Sequence, residues 1–223
     1  MAEPIEQIAE KMRRDWDERA RENARYYVNT STREWTDNEF FASGEATVRE
    51  QILNDMINIC QDKDPQAMHV LEIGCGAGRV TRALSKAFGR VTGVDVSGEM
   101  VKQAQAALAD RPNAKAIQNN GRDLADVEGP VDFAFSTIVF QHIPSYEVIE
   151  SYVREVHRLL RPGGLFKFQV QGATDMETTA NDTWLGVPFS EQRAREMAAA
   201  CGFEMRYGHG AGDQYYWLWF FKQ

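Results

Sequence analysis

Three glycines alternate in the stretch LEIGCGAGR, where Gly74, Gly76 and Gly78 follow directly on the apolar run at 69–73. Asp95 closes the next short apolar run, 21 residues after Gly74. A glycine-rich turn from strand into helix lets the main chain approach a ligand closely, and the free N–H groups that open the helix attract anions. A carboxylate at the end of the following strand can accept both hydroxyls of a ribose. Together these residues point to a nucleoside-bearing cofactor. A nicotinamide dinucleotide turn asks for a third glycine where Arg79 stands, and Gly78 comes one residue too early for it. A phosphate loop needs a Gly-Lys-Ser/Thr ending, which is missing here.

The elements that position these residues follow from periodicity. Apolar residues at helical spacing (Ile5, Ile8, Met12, Trp16) predict an amphipathic helix over 3–25. An aromatic-studded polar stretch comes next, with Thr36 and Glu39 spaced as a capping box for a short helical turn. A second helix is predicted over 45–61. From His69 the pattern alternates: strand 69–73, helix 77–88, strand 90–94, helix 98–109, strand 114–119 and strand 131–137. A helix over 145–160 follows, capped by Ser145 and ended by the RPGG at 161–164, and then a strand over 165–170. Alternation of this kind predicts right-handed crossovers and a parallel sheet. The tail departs from it: a helix in SEQRAREMAAACGF, then strands 204–207 and 214–222 joined by a glycine-rich turn, which predict an antiparallel hairpin.

The 223 residues suffice for one sizeable core, with 43% hydrophobic and 26% charged residues as in ordinary soluble proteins. A net charge of −8 disfavours a nucleic-acid binder. Cys60, Cys75 and Cys201 form no CxxC pair, which argues against a disulfide framework or zinc site and fits a reducing cytoplasm. The N-terminus is too charged for a signal peptide, and the apolar run at 215–221 is too short to span a bilayer as a helix. Asn181 and Asp182 lack an acidic pair to complete an octahedral metal site, so no metal is expected.

LEIGCGAGR, with Glu72 before the glycines and Asp95 after them, resembles the first two motifs of class I S-adenosylmethionine (SAM) dependent methyltransferases. NNGRDL at 119–124, VDFAFSTIVFQHIP at 131–144 and LLRPGGLFKFQ at 159–169 agree with it. The resemblance covers about residues 45–223. It implies an α/β fold: a Rossmann-like, seven-stranded, mostly parallel sheet with an antiparallel C-terminal hairpin strand, carrying an N-terminal helical extension over 1–44. It implies SAM as cofactor, with Glu72, Gly74, Cys75, Gly76, Gly78, Arg79, Asp95, Val96, Met100, Arg122, Asp123, Leu124, Ser136 and Thr137 as the cofactor-binding set. In that reading Asp95 takes the ribose, and Asp123 takes the adenine amino group with Leu124 beside it. Residues 138–143 face the acceptor.

Bland readings stand beside these. Glu72 orients the turn rather than touching SAM, Asp123 is a turn former, and Cys75 is merely small enough for a tight turn. His142 is the one histidine that pattern places in the catalytic mouth, as a general base for a hydroxyl or ammonium acceptor or as a satisfied structural histidine. His69, His157 and His209 read as structural or solvated. Tyr26, Tyr27 and Trp35, with Phe40 and Phe41, form either a local clasp or a lid over the acceptor, and Phe140 and Gln141 line the acceptor side. The expected function is methyl transfer from SAM to an oxygen, nitrogen or sulfur of a small molecule, by a monomer or homodimer without nucleic-acid or membrane partners. A protein or RNA acceptor and a nicotinamide-dependent reductase are the alternatives. The absence of a DPPY-like motif after the fourth strand argues against DNA amine methylation, and the lack of a Tyr-x-x-x-Lys pair argues against the reductase.

Overall fold

The computed structural model describes residues 4–175 and 182–223. Its strands are β1 (His69–Ile73), β2 (Arg90–Asp95), β3 (Ala114–Gln118), β4 (Val131–Ser136), β5 (Leu160–Val170), β6 (Phe203–His209) and β7 (Tyr216–Lys222). They form a seven-stranded sheet in the order β3-β2-β1-β4-β5-β7-β6. The pairs β1–β2, β2–β3 and β4–β5 are parallel, whereas β7 runs antiparallel to both β5 and β6. This is the expected Rossmann-like α/β sheet with its antiparallel C-terminal hairpin. The described residues fall into two compact units, Arg13–Asn119 and Met1–Met12 with Asn120–Gln223.

In the unit Arg13–Asn119, β1 is buried along its whole length, as a strand covered on both faces must be. Helix α1 (Ile5–Val28) is interrupted at Asn23, whose φ of −166° and ψ of 84° are not helical. Asn23 Oδ1 accepts from the Tyr26 N–H and its Nδ2 donates to the Arg33 carbonyl. The side chain therefore caps a new turn where the first one stops. Residue 3, the predicted helix start, lies outside the described residues.

Helix α2 (Asp37–Gln51) opens with the expected Thr36–Glu39 capping box. It is a full helix rather than the short turn predicted, and it ends before the predicted 45–61 helix would. A 3-10 turn (Leu53–Asp55) and a short helix α3 (Met56–Cys60) occupy the rest of that span. Gly44 reads as a helix boundary by propensity. Its missing side chain is what allows α2 to press on the following helix: a Cβ there would lie 2.2 Å from the Arg79 carbonyl oxygen. Helices α4 (Arg79–Ala87) and α5 (Gly98–Ala107) complete the unit, and Ser97 caps α5 by accepting from the Met100 N–H.

In the other unit, α6 (Tyr146–Leu159) is capped by Ser145 as predicted and α7 (Glu191–Ala200) by Ser190. RPGG ends α6 but also belongs to β5, which starts earlier than the sequence suggested. The core is aromatic. Phe166 and Phe168 stack at 4.2 Å, and Phe220 meets Phe168 edge-on.

Candidate functional site

The glycine turn and Asp95 come together as their spacing requires. Asp95 Oδ2 accepts from the Gly76 N–H at 2.9 Å and Oδ1 from the Ser97 N–H at 2.9 Å. One carboxylate thus ties the end of β2 to the turn after β1 and to the start of α5. Each of its oxygens can accept a further bond. Burial pushes the Asp95 pKa up to about 6, against the lowering effect of the Ser97 and Gly76 amides. Gly76 and Gly78 have φ of +51° and +83°, conformations that a side chain disfavours. A Cβ on Gly76 would fall 2.6 Å from Val28, and one on Gly78 would fall 3.0 Å from the Ala104 backbone in α5.

Glu72 is buried, and its Oε2 accepts from Thr81 Oγ1 at 2.5 Å. Burial raises its pKa to about 7, opposed by the Thr81 bond and the Arg79 charge. It braces the first turns of α4. Arg79, also buried, gives Nη1 to the Ser43 carbonyl and Thr47 Oγ1 of α2, each at 2.9 Å. Burial lowers its pKa, with Glu72 opposing. Cys75 is buried in a cluster with Val101 and Ala104, and desolvation holds its thiol well above the ordinary range. Gly74 (φ +76°) opens the turn, and its N–H donates to the Val94 carbonyl. Val96 accepts from Gln118 through its carbonyl. Met100 is buried with Ala77, Ala20, Ala24 and Phe40.

The N-terminal helices reach this turn in ways the sequence did not reveal. Asp17 Oδ1 accepts from Ser97 Oγ and from the Glu99 N–H, capping α5 from a position 80 residues away. Trp35 packs against the Met100–Ala77–Phe40 cluster and donates its indole N–H to the Asn29 carbonyl. Tyr26 meets Tyr27 edge-on beneath the Arg33 guanidinium, and Tyr27 donates to Glu22.

In the unit that contains β4, Asp123 Oδ1 accepts from the Ala125 N–H, which is the geometry of a turn former. Its pKa is lowered overall; partial burial raises it, but the Asn120 bond and neighbouring cations prevail. Leu124 is fully buried, and Arg122 pairs with Glu6. Ser136 is buried at the end of β4, and Thr137 beside it is half-buried. Phe140 turns into the core against Tyr152, Phe166 and Phe168. His142 is buried, with Nδ1 2.5 Å from the Trp184 carbonyl and Nε2 3.3 Å from the Gln141 amide nitrogen. Two further residues stand here, one inside the 138–143 segment expected to face the acceptor and one that sequence reasoning passed over. Ile138 has φ +55°, and Gln169 is a fully buried amide in β5, two residues after the buried Lys167. The second carried a signal, since a polar residue inside LFKFQV needs a partner. Asn181 lies outside the described residues, and Asp182 caps a turn by accepting from Trp184 N–H. Among the described residues no group of His, Cys, Asp and Glu could hold a metal ion.

The sheet and the turn braced by Asp95 define a class, the Rossmann-like α/β proteins that hold a nucleoside at the end of the first two strands. Residues 70–164, a little under half of the chain, match the family described as methyltransferase domain. It is 31% identical over 103 residues to a demethylmenaquinone methyltransferase of Staphylococcus aureus, covering 45% of this chain and 42% of that one. It is 36% identical over 106 residues to a trans-aconitate 2-methyltransferase of Azoarcus, covering 47% and 39%. The chain therefore spans about two fifths of the length of these curated relatives. The SAM-bound magnesium protoporphyrin IX methyltransferase of Synechocystis superposes with a TM-score of 0.68 at 16% identity, over 100% of this chain and 99% of that one. That likeness is one of fold.

Proposed function

We propose that the chain transfers the methyl group of SAM to an oxygen, nitrogen or sulfur atom of a small-molecule acceptor. The observation that carries this reading is the Asp95 carboxylate bonded to the Gly76 N–H inside the family-matched segment. Asp95 is half-buried and its carboxylate suits vicinal ribose hydroxyls, and the adjacent opening of α4 suits a carboxylate. SAM supplies a methyl group already activated on a sulfonium. The protein's task is alignment and water exclusion, and orientation alone is worth roughly 7–11 kcal/mol.

Within the proposed cofactor set, Glu72 and Arg79 act by bracing α4 and α2, since their bonds go to Thr81 and to Ser43 and Thr47. Gly74, Gly76, Gly78, Asp95 and Val96 offer backbone and carboxylate to the ligand, while Asp123 and Leu124 are assigned to the adenine by the family pattern. Tyr26 and Tyr27 are proposed as lid residues. His142 would act as a base only by giving up its Gln141 bond.

Small-molecule acceptors are supported by the relatives' names, which include demethylmenaquinone, trans-aconitate and 2-methyl-6-phytyl-1,4-hydroquinone. No helix among the described residues is long and apolar enough to cross a membrane. Cys60, Cys75 and Cys201 are all buried and lie outside any disulfide, which fits a cytoplasmic setting. Calorimetry with SAM, followed by a radiolabelled-methyl screen over metabolite pools, tests the proposal. Failure to bind SAM, or label appearing only in protein or RNA, would overturn it.

A further inference from the structure

Ile138 stands two residues beyond β4 with φ +55°, a conformation that crowds a β-branched side chain. It is 38% exposed, so core packing does not offset the strain. Strain of this kind persists only where the surroundings over-determine it, and it gathers at ligand sites. Open α/β sheets take their ligands at the carboxyl ends of strands, which is where Ile138 sits.

What holds it is a directional chain of hydrogen bonds. The Ile138 N–H donates to Gln169 Oε1 at 3.0 Å. Gln169 Nε2 donates to Gln141 Oε1 at 2.6 Å and to the Val170 carbonyl at 2.8 Å. Gln141 Nε2 faces His142 Nε2 at 3.3 Å, and His142 Nδ1 faces the Trp184 carbonyl at 2.5 Å. Only one assignment of these amides satisfies every link. A backbone N–H must meet an oxygen of Gln169, which turns its NH2 to Gln141 and in turn the Gln141 NH2 to His142. His142 Nε2 is then the acceptor, and the ring is neutral with its proton on Nδ1, donating to Trp184. Gln169, Gln141 and His142 are all buried. The far end of the chain also carries an apolar group: the Trp184 ring lies 5.0 Å from the His142 ring and is 36% exposed. The Val187 N–H donates to the Ile143 carbonyl, fixing this segment beside the turn.

We propose that Ile138 and Trp184 contact the methyl acceptor and select one with a flat apolar face, and that Gln169, Gln141 and His142 are positioning residues that hold both in place. The proposal rests on the methyltransferase reading above. It gives the buried glutamines a task that proton transfer does not require.

The test uses the full chain with S-adenosylhomocysteine, and 2-naphthol as a flat apolar probe beside malate as a polar one. Calorimetry first establishes binding of S-adenosylhomocysteine; if that fails, the methyltransferase reading itself falls. With it bound, 2-naphthol is expected to bind and malate not. Ile138→Gly should weaken 2-naphthol at least tenfold while leaving S-adenosylhomocysteine unchanged, and its urea midpoint should be no lower than that of the wild type. Gln169→Met should weaken 2-naphthol similarly. The double variant should lose clearly less than the sum of the two single losses, because Gln169 acts in part through Ile138. Absence of 2-naphthol binding to the cofactor-loaded protein, additive losses in the double variant, or a lowered midpoint for Ile138→Gly would each overturn the inference. The Ile138→Gly arm decides it even if Gln169→Met does not fold.

Discussion

Replacing Glu72 by Gln separates a structural brace from a cofactor ligand. The wild-type carboxyl sits in a fully buried position with Thr81 Oγ1 as its partner, and burial carries its pKa from an ordinary 4.5 to about 7. The native state therefore holds the proton more tightly than the unfolded chain. Its contribution to stability is complete below pH 4.5 and is lost as pH rises through 7. A displacement of that size corresponds to about 3 kcal/mol above pH 8. Glutamine has the same shape, cannot ionise, and can still accept from Thr81, at a cost of up to about 1 kcal/mol for exchanging the protonated carboxyl for an amide. Glu72→Gln should then lie within ~1 kcal/mol of wild type at pH 5 and be more stable by about 2 kcal/mol at pH 8.5. Urea denaturation at the two pH values reads this as a midpoint difference that grows with pH. Asp95 contributes a slope of the same sign below pH 6 in both proteins, so the comparison isolates Glu72. SAM affinity should be nearly unchanged. A variant destabilised equally at both pH values, or one that loses SAM binding while folded, would refute this account of Glu72.

Asp95→Ala removes the bonds to Gly76 and Ser97 as well as the proposed ribose contacts, and calorimetry should show SAM binding weakened by roughly 2–4 kcal/mol. Because the Asp95 pKa is pushed up to about 6, SAM affinity in the wild type should fall as pH drops below 6, and the Asp95→Ala protein should lack that acid limb. Asp17→Ala strips the cap from Ser97 and Glu99, and its stability by denaturant midpoint should fall by about 0.5–2 kcal/mol.

The local grammar of the chain was legible without a structure. Strand and helix order, the Thr36–Glu39 capping box, the Ser145 cap, the left-handed glycines and the pairing of Asp95 with their turn all depend on residues a few positions apart or on a motif of fixed spacing. So did the antiparallel tail, because two strands joined by a short turn have little choice. What the tertiary structure decided was where these pieces meet. Nothing in the local pattern says that β7 inserts between β5 and β6, that α2 continues through Gly44 because it must press on Arg79, or that Asp17 caps a helix that begins 80 residues later. Ile138 falls in the segment expected to face the acceptor, but its left-handed backbone shows only where its N–H is held by Gln169 from the neighbouring strand. Periodicity and capping act over a turn or two of chain. A contact between distant residues is set by which faces the folded sheet and helices bring together.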